Sequence, residues 1–356
     1  MPDRAEAGPV DWAAAVRAGR RLAPTGPTVS PGQAARAVAD LREFSRRAEL
    51  VVRDTTELGH GLPVDDAEVV DRPGWIAATA EGMERLTGPA VAKLVAATGG
   101  RAAGRVTRSA AGQQVGFILG FLSGKVLGQF DPLGGDPQRP GRLLLVAPNI
   151  VKVERELAAD PTDFRLWVCL HESTHRLQFS AVPWLREYFT SLVAEFADKA
   201  DPDPARMLQR AVAAIKGGTG PGEADEPDRR SWIEGIQSPE QRAVFDRVMA
   251  LMSLLEGHAD HVMDAVGPAV VPSVTTIRAS FSERRRKGAG PIDRLVRALL
   301  GMEMKLAQYV NGGAFVREAV ATVGMAGFNA VWQSPDTLPT RAEIADPAAW
   351  VRRVHG

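Results

Sequence analysis

The five residues from His171 to His175 read His-Glu-Ser-Thr-His, and this motif constrains the fold of the 356-residue chain more than any other segment. Side chains four positions apart lie on one face of a helix, so both imidazoles can reach a single metal ion. Glu172 projects about 100° away around the helix, beside such an ion rather than on it. A catalytic zinc ion needs a general base in that place, because its water must lose a proton.

The flanking sequence predicts that the motif lies on a helix buried along one side. Asp160 and Pro161 supply an N-cap and a first helical residue, and the helix must end before Pro183. Both histidines share a stripe at the i, i+3, i+4 spacing with Phe164, Trp167, Val168 and Phe179. The alternative is a pair of hydrogen-bonded core histidines. Packing does not explain an acid between two histidines one turn apart, and we therefore predict a zinc site.

Two histidines leave a catalytic zinc ion one protein ligand short. The common pattern with a glycine and a third histidine farther along the same helix is excluded, because Gln178 and Ala181 occupy those positions. Glu256 is the best candidate, since it falls within the apolar stripe of a helix predicted over 239–266. A carboxylate on a buried face is costly unless it is paired or binds a metal. Asp260, one turn later, is placed to accept a hydrogen bond from a zinc-bound histidine.

Three other residues stay open as the third ligand. His258 and His261 point about 200° and about 140° away from Glu256 on a regular helix, so either would replace it rather than join it. Histidine is the commonest metal ligand, which keeps both in consideration. Glu303 also lies among apolar residues, but the nearby Lys305 favours a local salt bridge.

Several short segments together resemble a bacterial family of zincin-like, zinc-dependent metalloproteases. The segments are Pro148–Ile150, Asp163–Val168, His171–His175, Glu256–Asp260, Lys305–Tyr309 and Leu338–Thr340. The resemblance extends over residues 30–356, and some members of the family carry the label "coenzyme F-420 biosynthesis-associated". It implies a zincin-type catalytic core in which His171, His175 and Glu256 hold zinc and Glu172 is the general base.

One further donor is expected to stabilise the oxyanion that forms during amide hydrolysis, together with zinc. The chain contains two tyrosines, Tyr188 and Tyr309, and the second lies in a segment that resembles the family. Tyr309 is therefore the predicted donor, and His258 and His261 are the alternatives.

These residues predict a zinc-dependent metallohydrolase, a peptidase in the first instance, that uses a zinc-activated water with Glu172 as general base. Its expected substrate is a peptide or another amide. The alternative is a non-hydrolytic zinc-containing binding or scaffold protein linked to deazaflavin coenzyme metabolism. The presence of Glu172 favours the hydrolase, because a structural zinc site needs no base and is closed by four ligands.

Charge and hydropathy limit the partners of the chain. The formal net charge is zero, so no overall field attracts nucleic acid or anionic lipid. The longest apolar stretch, Val115–Leu122, is too short to span a membrane, and the first residues do not resemble a signal peptide. We expect a soluble, cytoplasmic protein. The single cysteine, Cys169, excludes an internal disulfide bond.

The sequence predicts a mainly helical fold with a small β element, built around a zincin-like core with the motif on its active-site helix. We expect a flexible arm over 1–30, a helical subdomain over 31–135 and a catalytic domain over 136–356. The clearest strand is Leu143–Val146. Glycines at every fourth position from Gly112 predict a bare groove along one helix. We expect this groove to pack against another helix inside the domain rather than to form a dimer interface or a membrane-embedded interface.

Overall fold

The computed structural model describes residues 8–97, 104–136, 139–199, 239–287 and 302–356. The chain divides into two compact units, of which the first comprises Met1–Arg186 with Val262–Glu283 and the second comprises Glu187–His261 with Arg284–Gly356. The described residues are mainly helical with one three-stranded sheet, which confirms the predicted fold class. The predicted domain limits near residues 30 and 135 stay predictions.

The described elements begin with seven helices and three strands before residue 200. They are α1 (Trp12–Leu22), α2 (Pro31–Thr56), β1 (Glu68–Val70), α3 (Arg72–Ala97), α4 (Arg105–Ser123), β2 (Gly128–Asp136), β3 (Arg139–Val146), α5 (Ala147–Glu156), α6 (Pro161–Ala181) and α7 (Leu185–Asp198). The later helices are α8 (Pro239–Ala265), α9 (Gly267–Val270), α10 (Val274–Lys287), α11 (Met302–Phe328), α12 (Arg341–Ala345) and α13 (Pro347–His355). None of these described helices combines the length and apolar character needed to cross a membrane.

The sheet of the first unit has the strand order β1-β3-β2, with β1 parallel and β2 antiparallel to β3. Its central strand ends in the apolar run Leu143–Val146, and all four side chains are buried. Alternate side chains of a strand point to opposite faces. Leu143 and Leu145 accordingly join the core that contains α6, whereas Leu144 and Val146 join a second core built on α3 and α4. The run is continuous because helices cover both faces.

Helix α6 lies between α2 and the sheet, and its apolar residues Phe164, Trp167 and Leu170 are part of the larger core. An ion pair between Arg176 of α6 and Glu49 of α2 is almost fully buried. Arg176 Nη1 also donates to the backbone oxygen of Asp65, at 2.6 Å. Together, these contacts set the rotation of α6 about its axis, and with it the direction in which the two motif histidines point.

The glycine groove predicted on α4 is filled from within the first unit. Helix α1 packs along Gly112, Gly116 and Gly120, and a Cβ added at Gly116 would lie 2.5 Å from the backbone oxygen of Ala15. The structure thus places a helix inside the segment 1–30, for which sequence analysis predicts a flexible arm. The physical reason is tertiary packing, because most helical stability in proteins comes from a packed face rather than from propensity.

In the second unit, α8 and α11 cross at close range. Gly257 and Gly312 meet there, and a Cβ on either residue would overlap the backbone of the other helix. Farther along, Phe315 packs edge-to-face on Trp350, with ring centroids 5.6 Å apart. The crossing fixes the part of α8 that carries Glu256.

Candidate metal centre

Helix α6 carries both motif histidines, as the sequence predicts. Asp160 caps its N-terminus, because its carboxylate accepts hydrogen bonds from the backbone of Thr162 and Asp163 at 2.9 and 3.0 Å. His171 and His175 are both half-buried, and their Nε2 atoms lie 3.2 Å apart. The two rings therefore direct the same nitrogen atom toward one point on the surface of the helix.

Gln178 determines which nitrogen of His175 is available to a metal ion. His175 Nδ1 lies 3.0 Å from Gln178 Oε1. An amide oxygen only accepts hydrogen bonds, so Nδ1 carries the proton and the lone pair is on Nε2. From the sequence alone, Gln178 is notable only because it replaces the glycine of another zinc motif. Its position nevertheless indicates the contact with His175, because a residue three positions after a histidine lies on the same helix face.

The Glu172 side chain is buried, with 7% of its surface exposed, and it lies against the start of β2. A Cβ added at Gly128 would lie 2.6 Å from Glu172 Cγ, 2.7 Å from Cδ and 2.9 Å from Oε1. The base predicted from the motif is thus in direct contact with a strand. Gly128 leaves the space that this carboxylate occupies, and any other residue there would displace it.

In the second unit, Glu256 is half-buried on α8 and follows the buried Leu254 and Leu255. Like His171 and His175 in the first unit, Glu256 offers one atom that could bind a metal ion, in its case a carboxylate oxygen. Two imidazole nitrogens and one carboxylate oxygen form a donor set typical of catalytic zinc, which takes three protein ligands and keeps one position open.

The three residues considered as alternative third ligands are His258, His261 and Glu303. His258 is fully buried, and its ring lies 5.4 Å from both Phe328 and Trp332, in an aromatic cluster of the second unit. His261 is half-buried on the same helix. Glu303 lies outside the residues whose side chains the structure describes. The aromatic packing gives His258 a structural role within its own unit.

Two further predicted residues, Asp260 and Tyr309, lie on helices of the second unit. Asp260 is half-buried on α8, with Oδ2 3.5 Å from Arg317 Nη1. Its predicted hydrogen bond to a zinc-bound histidine stays a prediction. Tyr309 is on α11, outside the residues whose side chains the structure describes, and its predicted role as oxyanion donor is also open.

Cys169 is on α6, two positions before His171, and it has no role in the metal centre. Its side chain is fully buried in the core, with Sγ 3.8 Å from the backbone oxygen of Leu41. Burial, together with the nearby charge of Glu172, raises the pKa of the Cys169 thiol well above its usual range. The thiol therefore stays protonated and is excluded as a nucleophile.

Known proteins are similar to this chain over most of its length. A family model described as zincin-like metallopeptidase matches residues 10–351. A crystal structure from Chloroflexus aurantiacus, described as a candidate hydrolase with a novel fold, has 31% sequence identity to this chain and a TM-score of 0.67. The similarity covers 97% of this chain and 98% of that one. Among curated proteins, no sequence matches this chain.

Proposed function

Because this chain belongs to the family of zincin-like metallopeptidases, we propose that it is a zinc-dependent hydrolase that cleaves a peptide or another amide. The observation that carries the proposal is the pair of His171 and His175, whose Nε2 atoms lie 3.2 Å apart, with the buried carboxylate of Glu172 next to the first histidine. Glu256 is the proposed third ligand. We assign the zinc ion to these three ligands. When bound, zinc supplies Lewis-acid chemistry, since it lowers the pKa of water and polarises a carbonyl group.

Glu172 is the proposed general base. Its carboxylate accepts the proton of the attacking water and then donates it to the nitrogen of the departing amine. The burial of Glu172 against Gly128 keeps the carboxylate in one position, which is what proton transfer within hydrogen-bond reach requires. Gln178 holds His175 in the required tautomer, and we propose the same role for Asp260 at the other histidine. Tyr309 remains the proposed donor to the oxyanion.

Strand β2 is the proposed binding surface for an extended substrate. Among the described strands it forms an edge of the sheet, next to β3 only, and it begins at the residue that contacts Glu172. A sheet edge presents backbone donors and acceptors that an extended peptide can pair with as an added strand. Such pairing would present successive amide bonds of a peptide to the base, which supports a peptide over a compact amide.

The proposed function is tested by digestion of a broad peptide library with the zinc-loaded protein. We expect cleavage that stops when zinc is removed with a chelator and returns when zinc is added back. Mass spectrometry of the products then separates internal cleavage from removal of terminal residues. A protein that binds zinc tightly but cleaves no member of the library would favour the non-hydrolytic binding protein.

We expect Gly128→Ala to lower the turnover number by about 10–100-fold while the protein keeps its zinc. The added methyl group must displace the Glu172 carboxylate, and misplacing a reacting group by about 1 Å can cost about 100-fold. The measurements are the rate of peptide cleavage, the zinc content and the melting temperature.

Shortening the base provides the control for this prediction. The double variant Gly128→Ala with Glu172→Asp removes one methylene next to the new methyl group. We expect it to recover part of the activity relative to Gly128→Ala, although Glu172→Asp alone lowers the activity. If the two substitutions combine additively, the contact between Gly128 and Glu172 does not position the base.

A further inference from the structure

A cavity of about 750 Å³ lies in the first unit, and its lining contains none of the proposed zinc ligands. It is bounded by the first turns of α2, the end of β1, helix α5, the start of α6 and the segment between α1 and α2. Ligand pockets in proteins typically measure about 300–1,000 Å³, so the cavity has the size of a small-molecule site.

The segment over the cavity is held in place by two arginines. Arg72 is buried, and it donates to the backbone oxygen of Pro24 at 2.8 Å and to Asn149 Oδ1 at 2.7 Å. Arg155 donates to the backbone oxygen of Thr28 at 3.0 Å. These bonds fix the irregular segment between α1 and α2 in place beside the cavity. The cavity is therefore bounded by an anchored segment rather than by a loose one.

The walls of the cavity are aliphatic and small. The apolar lining residues are all alanines, valines and prolines, among them Val38, Val69, Val70, Ala147 and Val151. None of the described residues that line it is aromatic, so a planar ring system would find no stacking partner among them. A flexible aliphatic chain suits this lining, since it needs burial and close packing but no oriented polar contact.

Three charged groups in the wall, Arg165, Glu154 and Asp40, are paired with one another. Arg165 pairs with both carboxylate oxygens of Glu154, at 2.9 and 2.7 Å, and its third nitrogen donates to Asp40 at 2.6 Å. Its guanidinium group is therefore neutralised by two acids. A ligand does not need to satisfy any of these groups, which again favours an apolar body.

Two arginines that line the cavity, Arg36 and Arg155, are exposed and available to bind the polar end of a ligand. Within the described part of the chain, Arg36 has no hydrogen-bond or ion-pair partner, and Arg155 bonds only to the backbone oxygen of Thr28. We propose that this cavity binds an unbranched aliphatic carboxylate, with its chain inside and its carboxylate against Arg36 and Arg155. The proposal is independent of the zinc centre and of the proposed hydrolysis.

The test is calorimetric titration of the full-length protein with octanoate, decanoate and dodecanoate below their micelle concentrations. We expect saturable binding of one molecule per chain, tightening about fifteenfold for each two added methylenes, because burying one methylene contributes about 0.8 kcal/mol. Decyltrimethylammonium, with the opposite charge, should bind at least about tenfold more weakly than decanoate. Arg155→Gln should weaken decanoate binding about tenfold, through the loss of a charge-assisted hydrogen bond.

Matched variants separate the cavity from general surface binding. Ala34→Trp fills the cavity from an exposed position of α2, whereas Ala35→Trp places the same side chain on the same helix outside the lining. Decanoate binding should be lost in the first variant and kept in the second. Three results would overturn the proposal: no saturable binding of any chain length, equal binding by the two tryptophan variants, or equal affinity for the cationic probe.

Discussion

Glu172→Gln is expected to lower amide hydrolysis by about 100–10,000-fold while the protein keeps its zinc and its fold, a range typical for the loss of a general base. Glutamine has nearly the same shape as glutamate and fills the same space beside Gly128, so the packing of α6 against β2 is kept. It cannot accept a proton from water, and this step is what the variant removes. The measurements are the rate of peptide cleavage, the zinc content and the melting temperature.

Glu43→Gln is the matched control, because it removes a carboxylate from an exposed position on α2. We expect this variant to cleave at the parental rate. Equal rates for the parent and Glu172→Gln would show that this carboxylate is not the base. A loss of zinc together with activity would instead show that Glu172 supports the metal ligands.

Glu256→Gln is expected to weaken zinc binding by more than about 100-fold. Changes to residues that only support a ligand typically cost about 10–100-fold in metal affinity or activity, so loss of a direct anionic ligand should exceed that range. The neutral amide oxygen is a poor replacement, because zinc is bound by carboxylates, imidazoles and thiolates. Zinc affinity is measured by competition with a chromophoric chelator, and zinc content by elemental analysis after dialysis.

The loss of zinc affinity in Glu256→Gln is compared with that in two other variants. Asp260→Asn should weaken zinc binding within the range of about 10–100-fold, if Asp260 orients a ligating histidine as proposed. Glu318→Gln changes an exposed carboxylate on α11 and should leave zinc binding unchanged. Full retention of zinc by Glu256→Gln would move the third ligand to His258, His261 or Glu303.

The helix that carries the two motif histidines could be predicted from the sequence because its signals are local. Asp160, Pro161 and the apolar stripe lie within one segment, and the structure confirms a helix from Pro161 to Ala181. The mainly helical fold and the central strand segment Leu143–Val146 were predictable for the same reason. The resemblance to zincin-like metallopeptidases is confirmed by a family model that covers residues 10–351.

The flanking strands could not be predicted, because their signals come from distant parts of the chain. Strand β1 has three residues, Glu68–Val70, and pairs with residues 144–146. Strand β2 contains three glycines and a proline, which are residues that rarely favour a strand. Gly128 of this strand contacts Glu172, which is 44 positions later in the chain. A periodic pattern within one segment cannot predict a contact between two distant segments.

The packing of α1 against the glycine groove of α4 has a consequence for the order in which the chain can fold. Arg108 donates to the backbone oxygen of Gly8, which is 100 positions earlier. At synthesis rates of about 5–20 residues per second, α1 therefore emerges about 5–20 s before the groove that receives it. A helix of 11 residues is marginal in water on its own. Helix α1 must therefore wait for α4, and a nascent chain that stops before residue 104 presents α1 without its partner.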